Sequence, residues 1–228
     1  HELLRLEIPL ALRACRWAAD SSGGVIERPA EPVTPREQAR WEVTAISWMC
    51  SVVGPGPEPG GLAVLLDGPQ GVSGGVDRLG VSLLRAPTWP DPGADNGLQR
   101  QRLALQPYIG SWSSAQIPAE ALRLREPIWR RPVAASGLAG ARGELPALPP
   151  GLVMISLRPS GVGAWLAVQN LSPVRRYLDL GPRWRLRERT DGLNQLLVPQ
   201  PEAGTLGQLR PWELGFWRLE SQVAPQSS

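Results

Sequence analysis

Asp91 and Asp95 stand close together in a Pro-rich stretch, and two neighbouring carboxylates are what a glycosidase uses as general acid and as base or nucleophile. The same stretch reads Pro90-Asp91-Pro92-Gly93, in which an aspartate accepts hydrogen bonds from nearby backbone and shapes a turn. Turn chemistry is the simpler reading. Other chemistries lack partners. A Ser or Cys nucleophile needs a histidine base, and His1 is the only histidine. A zinc site needs a cluster of His, Cys or carboxylate ligands, which Cys15, Cys50 and one terminal histidine do not supply. No Gly-x-Gly-x-x-Gly or Walker pattern runs from a strand into a helix. The sequence therefore offers no catalytic set and no metal site.

The side chains that remain point to binding or structure. All 24 basic residues are arginine, and the net charge is +3. Arg130-Arg131, Arg175-Arg176 and the arginines from Arg183 to Arg189 are interrupted by Glu126, Asp179, Glu188 and Asp191. No continuous positive stripe forms, which argues against nucleic acid as a partner. Ten tryptophans are unusual beside two tyrosines and one phenylalanine. Indoles can stack on sugar rings, and they also fill sandwich cores. Trp41 and Trp48 sit in strand patterns and read as core; Trp89 and Trp112 sit in loops, where either role is open. Cys15 and Cys50 fit no disulfide framework and read as buried free thiols in a reducing cytoplasm. No apolar run approaches the roughly 18 residues of a membrane span, and no signal peptide opens the chain.

The elements that must position these residues are strands. Leu4, Leu6, Ile8 and Leu10 alternate with Arg5 and Glu7, as Trp41, Val43 and Ala45 do with Glu42 and Thr44. Leu79, Val81 and Leu83 alternate with Arg78, Gly80 and Ser82. This period of two puts one face on a core and the other toward water. Gly61 to Leu66 reads as a strand covered on both faces. The Gly/Pro run at 54–61 breaks the chain, and Gly68-Pro69-Gln70-Gly71 predicts a tight turn. Short strands between such breaks predict a sandwich, with helix limited to a turn or two near 118–125, where Pro118 and Glu120 suit a first turn. Residues 136–150 read as a linker. New strands follow at 152–157, 164–169, 177–180, 184–187 and 214–219. The tail at 223–228 is expected to be disordered. His1 leads into an alternating pattern already in progress, which predicts a fragment beginning inside a longer protein.

Residues 81–97, Val-Ser-Leu-Leu-Arg-Ala-Pro-Thr-Trp-Pro-Asp-Pro-Gly-Ala-Asp-Asn-Gly, closely resemble the Leu-Ser-Leu-Leu-Arg-Ser-Pro-Thr-Trp-Pro-Asp-Pro signature of glycoside hydrolase family 38 α-mannosidases, in their C-terminal half. Weaker likenesses keep the same order: Glu2 to Leu6, Val25 to Pro29, Ala39 to Val43 with Trp48, Gly61 to Gly68, Gln106 to Trp112, and Leu209 to Leu214. Departures from the family pattern include Leu66, Pro69 and Gln70 in place of Asn, Lys and Tyr. Tyr108 stands for a histidine and Cys50 for an aspartate.

The resemblance implies an all-β fold: a large antiparallel β-sandwich over 1–135, the 136–150 linker and a smaller C-terminal β-sandwich over 151–222. It implies the non-catalytic C-terminal part of an α-mannosidase, bracing the catalytic α/β barrel and walling its substrate cleft. Zinc would belong to that barrel and no cofactor to this chain; mannose-containing glycans would be the ligands. Arg85, at a strand end entering a rigid loop, is placed to reach a sugar hydroxyl or a catalytic carboxylate. Pairing with Asp91 or Asp95 to hold the loop is an equal alternative. Trp89, Asp91 and Asp95 complete the expected substrate-binding set. A stand-alone carbohydrate-binding module using Trp89 and Trp112, or a remnant of an inactive enzyme, are the rival readings. An apolar docking face carrying Trp89 and Trp112 is also expected.

Overall fold

The computed structural model describes residues 2–11, 13–21, 23–38, 42–52, 60–126, 146–161 and 163–222. Trp41, most of the Gly/Pro run at 54–61, the linker positions 136–145 and the tail at 223–228 lie outside them. The chain divides into two compact units, His1–Pro127 and Ile128–Ser228.

The first unit is built on β1 (Glu2–Pro9), β2 (Ala14–Ser21), β3 (Gly24–Pro29), β4 (Glu42–Val52), β5 (Gly60–Gly74), β6 (Arg78–Ala86) and β7 (Leu103–Ile109). They form one antiparallel sheet in the order β1-β6-β5-β4-β2-β3, with β7 on β5. The branch has a local cause. Ser47 pairs with Leu65 and Ala45 with Gln70, so Leu66 to Pro69 form a long bulge opposite Ile46. Below it β5 pairs with β7, and above it with β6. The expected turn at 68–71 is therefore a bulge inside one strand. Pro69 is tolerated there because a bulged residue owes the ladder no N–H bond.

Alternation decides what each face holds. Leu6, Ile8, Val43, Val72, Leu79 and Val81 point to one side and join Trp17, Trp48 and Val64 in the core. The Trp17 and Trp48 rings stack with centroids 5.8 Å apart. Burying each such aliphatic side chain stabilises by about 1.5–3 kcal/mol. The same bulge switches β4 from Val43 and Ala45 to Trp48 and Cys50 as core residues. Ala63 to Leu66 are all buried, matching the strand expected to be covered on both faces. The second cover is helix α2 (Ile117–Arg125), which packs on β5 and β4 and buries Ile117, Ala119 and Ala121. Pro118 stands in its first turn, where a missing N–H costs nothing. A short α1 (Pro35–Gln38) also forms. Thr34 and Glu37 cap each other's backbone N–H groups, a capping box visible as Thr-x-x-Glu. Cys50 is buried, as expected, but Cys15 is exposed. It sits beside the irregular register between Ala14 and Arg16.

The second unit has β8 (Leu152–Ser160), β9 (Gly163–Asn170), β10 (Arg176–Tyr177), β11 (Trp184–Thr190), β12 (Gln208–Leu209) and β13 (Leu214–Ser221). A four-stranded sheet, β11-β13-β9-β8, and a β10-β12 ribbon share one core. Leu152, Leu166, Val168, Trp217 and Leu219 come from the sheet, and Leu209 from the ribbon, with Leu178 and Leu180 just beyond β10. Among the described residues no helix is long and apolar enough to cross a membrane.

Candidate functional site

Strand β6 delivers Arg85 to the start of a polar loop. That loop is held by hydrogen bonds to its own backbone. The Asp91 carboxylate accepts the Gly93 N–H at 2.8 Å, and the Ala94 N–H donates to the Asp91 carbonyl at 3.2 Å. Asp95 sits in the left-handed region at φ 62°, and its Oδ2 accepts the Arg85 backbone N–H at 3.3 Å. The Gln101 side-chain amide donates to the Leu83 carbonyl. Asp91 and Asp95 thus both do turn work. Asp95 does so against Arg85 itself, but through the main chain; among the described residues the Arg85 guanidinium has no ion-pair partner.

Arg85 and Asp95 meet at a cleft of about 720 Å³, shared with Leu3, Glu42, Gln99 and Gln101. That volume lies within the range of small-molecule sites. Trp89 and Asp91 are not among its described lining. Trp89 is 83% exposed on the outer loop. Trp112 corrects the expectation of an exposed platform: it is buried at 7%, and its indole N–H donates to Glu27 Oε1 at 2.8 Å. A two-tryptophan sugar platform and a docking face carrying both indoles are therefore absent among the described residues.

Glu42, Thr44, Gly71 and Ser82 of the cleft lining belong to a polar strip that sequence reading missed. Glu42 and Thr44 of β4, Gly71 and Ser73 of β5, Gly80 and Ser82 of β6, and Arg5 and Glu7 of β1 are neighbours in the ladder, on the side away from the core. Glycine makes the strip possible. A Cβ at Gly71 would run into the Glu42 carboxylate, and one at Gly80 into the Arg5 guanidinium. Without those side chains, Ser82 donates to Glu42 Oε1 at 2.5 Å. Arg5 reaches Ser73 and Glu7 and lies 3.8 Å from Glu42. The available signal was Gly71 and Gly80 facing acidic and basic residues in period-two strands.

Two further polar groups lie away from the cleft. Burial pushes Asp20 up to about 6, against the nearby Arg125 and a Ser47 hydrogen bond that lower it. Tyr108 is pushed up to about 12, chiefly by burial, and donates to the Cys50 carbonyl at 2.8 Å. Among the described residues no three His, Cys, Asp or Glu side chains converge as a metal ion requires. The described donors do not fit zinc.

Residues 1–93 match the model of the glycosyl hydrolases family 38 C-terminal domain. Over those residues the chain is similar to a family 38 C-terminal domain. The match takes in β1 to β6, the whole polar strip and Arg85. Alpha-mannosidase 2C1 of Homo sapiens is 35% identical over 133 residues, 58% of this chain. Its counterpart in Mus musculus is 32% identical over 136 residues. The chain spans about 12% of the length of these curated relatives. The crystal structure of an α-mannosidase from Enterococcus faecalis V583 shares the fold, with a TM-score of 0.67 at 17% identity. That likeness covers 95% of this chain and 25% of the other, so it extends past the family 38 C-terminal domain into the second unit.

Proposed function

We propose that this chain is the accessory C-terminal part of an α-mannosidase, bracing a catalytic barrel and walling one side of the cleft that takes α-mannosides. It does not catalyse alone. The zinc-bearing barrel is its partner, and mannose-containing glycans are its ligands. The free thiols Cys15 and Cys50 support a reducing, cytoplasmic setting.

The observation that carries this reading is the division of labour at Arg85. Asp91 and Asp95 hold the loop through its backbone, and among the described residues the guanidinium at the edge of the cleft has no ion-pair partner. Arginine offers a fork of donors that suits a carboxylate or paired hydroxyls.

The test is Arg85→Ala in the full-length enzyme that contains this chain. A charge-assisted hydrogen bond is worth roughly 1.5–3 kcal/mol, so kcat/KM should fall by about ten- to a hundredfold. The melting temperature should hardly move. Unchanged kcat/KM in well-folded enzyme would remove Arg85 from the site. The purified chain alone should not turn over an aryl α-mannoside, and turnover above a mock preparation would overturn its non-catalytic role.

A further inference from the structure

We propose that the part of the polar strip that lines the cleft, Glu42, Thr44, Gly71 and Ser82, is itself a binding site for a neutral, polyhydroxylated ligand, with Glu42 as its main acceptor. The inference rests on the reading above, that this cleft faces a glycan, and it assigns that contact to a residue on the opposite wall from Arg85.

Glycine at positions 71 and 80 leaves room for the Glu42 carboxylate and the Arg5 guanidinium to lie over the sheet, and Glu42 borders the cleft. Glu42 is oriented before any ligand arrives. Its Oε1 accepts from Ser82, and Arg5 stands behind it. Among the described residues its Oε2 accepts no hydrogen bond, and its side chain keeps 41% of its exposure. A carboxylate with one oxygen fixed and one open can take a pair of adjacent hydroxyl donors with strong, charge-assisted hydrogen bonds. The surroundings disfavour an ion. Arg5 is matched by Glu7 and Glu42, and the Arg85 charge shares the cleft with the Asp95 carboxylate. Gln70, Gln99 and Thr44 add uncharged donors and acceptors, while Leu3 and Leu84 offer apolar edges for C–H faces.

A structural role for the same network makes a different forecast. If Arg5, Glu42 and Ser82 only tie β1 to β4, moving the Glu42 carboxylate lowers stability and changes no affinity. Gly71→Ala separates the two cases. The atom it would meet is the far end of a flexible side chain, so the carboxylate swings aside while the backbone stays.

The experiment is titration of the isotope-labelled chain with methyl α-mannoside and with an α-linked mannobiose, followed by amide shifts. Saturable shifts are expected at Gly71, Ser82 and Arg85. Glu42→Gln and Gly71→Ala should each weaken binding by about tenfold or more, with the melting temperature kept. No saturable shift in the unmodified chain, or unchanged affinity in both folded variants, overturns the strip as a site. Loss of binding on Arg85→Ala alone would also overturn it, while leaving the cleft-wall reading intact.

Discussion

Each unit buries a tryptophan at its centre, and the two are treated differently. Trp217 is fully buried, its indole N–H donates to the Leu206 carbonyl at 2.7 Å, and the Arg189 guanidinium lies 4.7 Å over its ring. That arginine also binds the Gln208 carbonyl and Glu213. Trp48 is equally buried and stacks on Trp17, but among the described residues its N–H has no partner. In the second unit Trp217, Arg189 and Glu213 are joined in one closed network, although the buried Thr190 hydroxyl has no partner among the described residues. The first keeps an apolar core on one side of its sheet and turns its polar residues, arranged over glycine, toward an open cleft. Polar networks satisfied from within serve stability, and polar groups held ready on an open face are where binding is to be sought.

Variants can break or sharpen this contrast. The largest effect is expected for Arg189→Met, which leaves Glu213 and a backbone carbonyl without their partner. Removing one member of a mostly buried pair costs about 3–5 kcal/mol, to be read by chemical denaturation of the second unit.

Asp20 is the exception in the first unit, a carboxylate only 6% exposed that accepts a hydrogen bond from Ser47 at 3.4 Å. Burial raises it from 3.8 to about 6, so between those values the folded chain holds a proton that the unfolded chain has released. Stability contributed by this group is therefore full below about pH 4 and is lost as pH rises through about 6, by on the order of 3 kcal/mol. Asp20→Asn should raise stability at neutral pH by up to that amount and flatten the slope between pH 4 and 6. An unchanged slope would mean that Asp20 stays charged.

The tryptophans themselves give a smaller difference. Trp217→Phe should cost about 1–2 kcal/mol more than Trp48→Phe, the worth of one hydrogen bond and a cation–π contact. Equal losses would erase the contrast between the two interiors. Smallest of all, Trp89→Ala should change stability by no more than about 0.5 kcal/mol, as for an exposed side chain away from any network.

Much of the fold was legible because period-two alternation reports a half-buried sheet directly. Leu79, Val81 and Leu83 point to the core as their spacing predicts, and Pro118 opens α2. What escaped depends on contacts far apart in sequence. Gly68 and Pro69 look like a turn, and only pairing with both β4 and β7 keeps them inside a strand. Trp112 looks like an exposed loop residue, yet Glu27, 85 positions away, supplies the partner that lets it be buried. Arg85 and Asp95 were legible from the 81–97 motif, but the 42–44 wall and the glycine floor were not. A glycine's role as the space for another strand's side chain exists only once the register is set.

On the proposed function, ligand meets the first unit and not the second. Hydrogen–deuterium exchange of the full-length protein, with and without a mannose-mimicking iminosugar, tests it. The account predicts added protection of amides in 83–101 and around Gly71, with none in 152–222. Protection confined to 152–222, or absent from both units at saturating iminosugar, would contradict it.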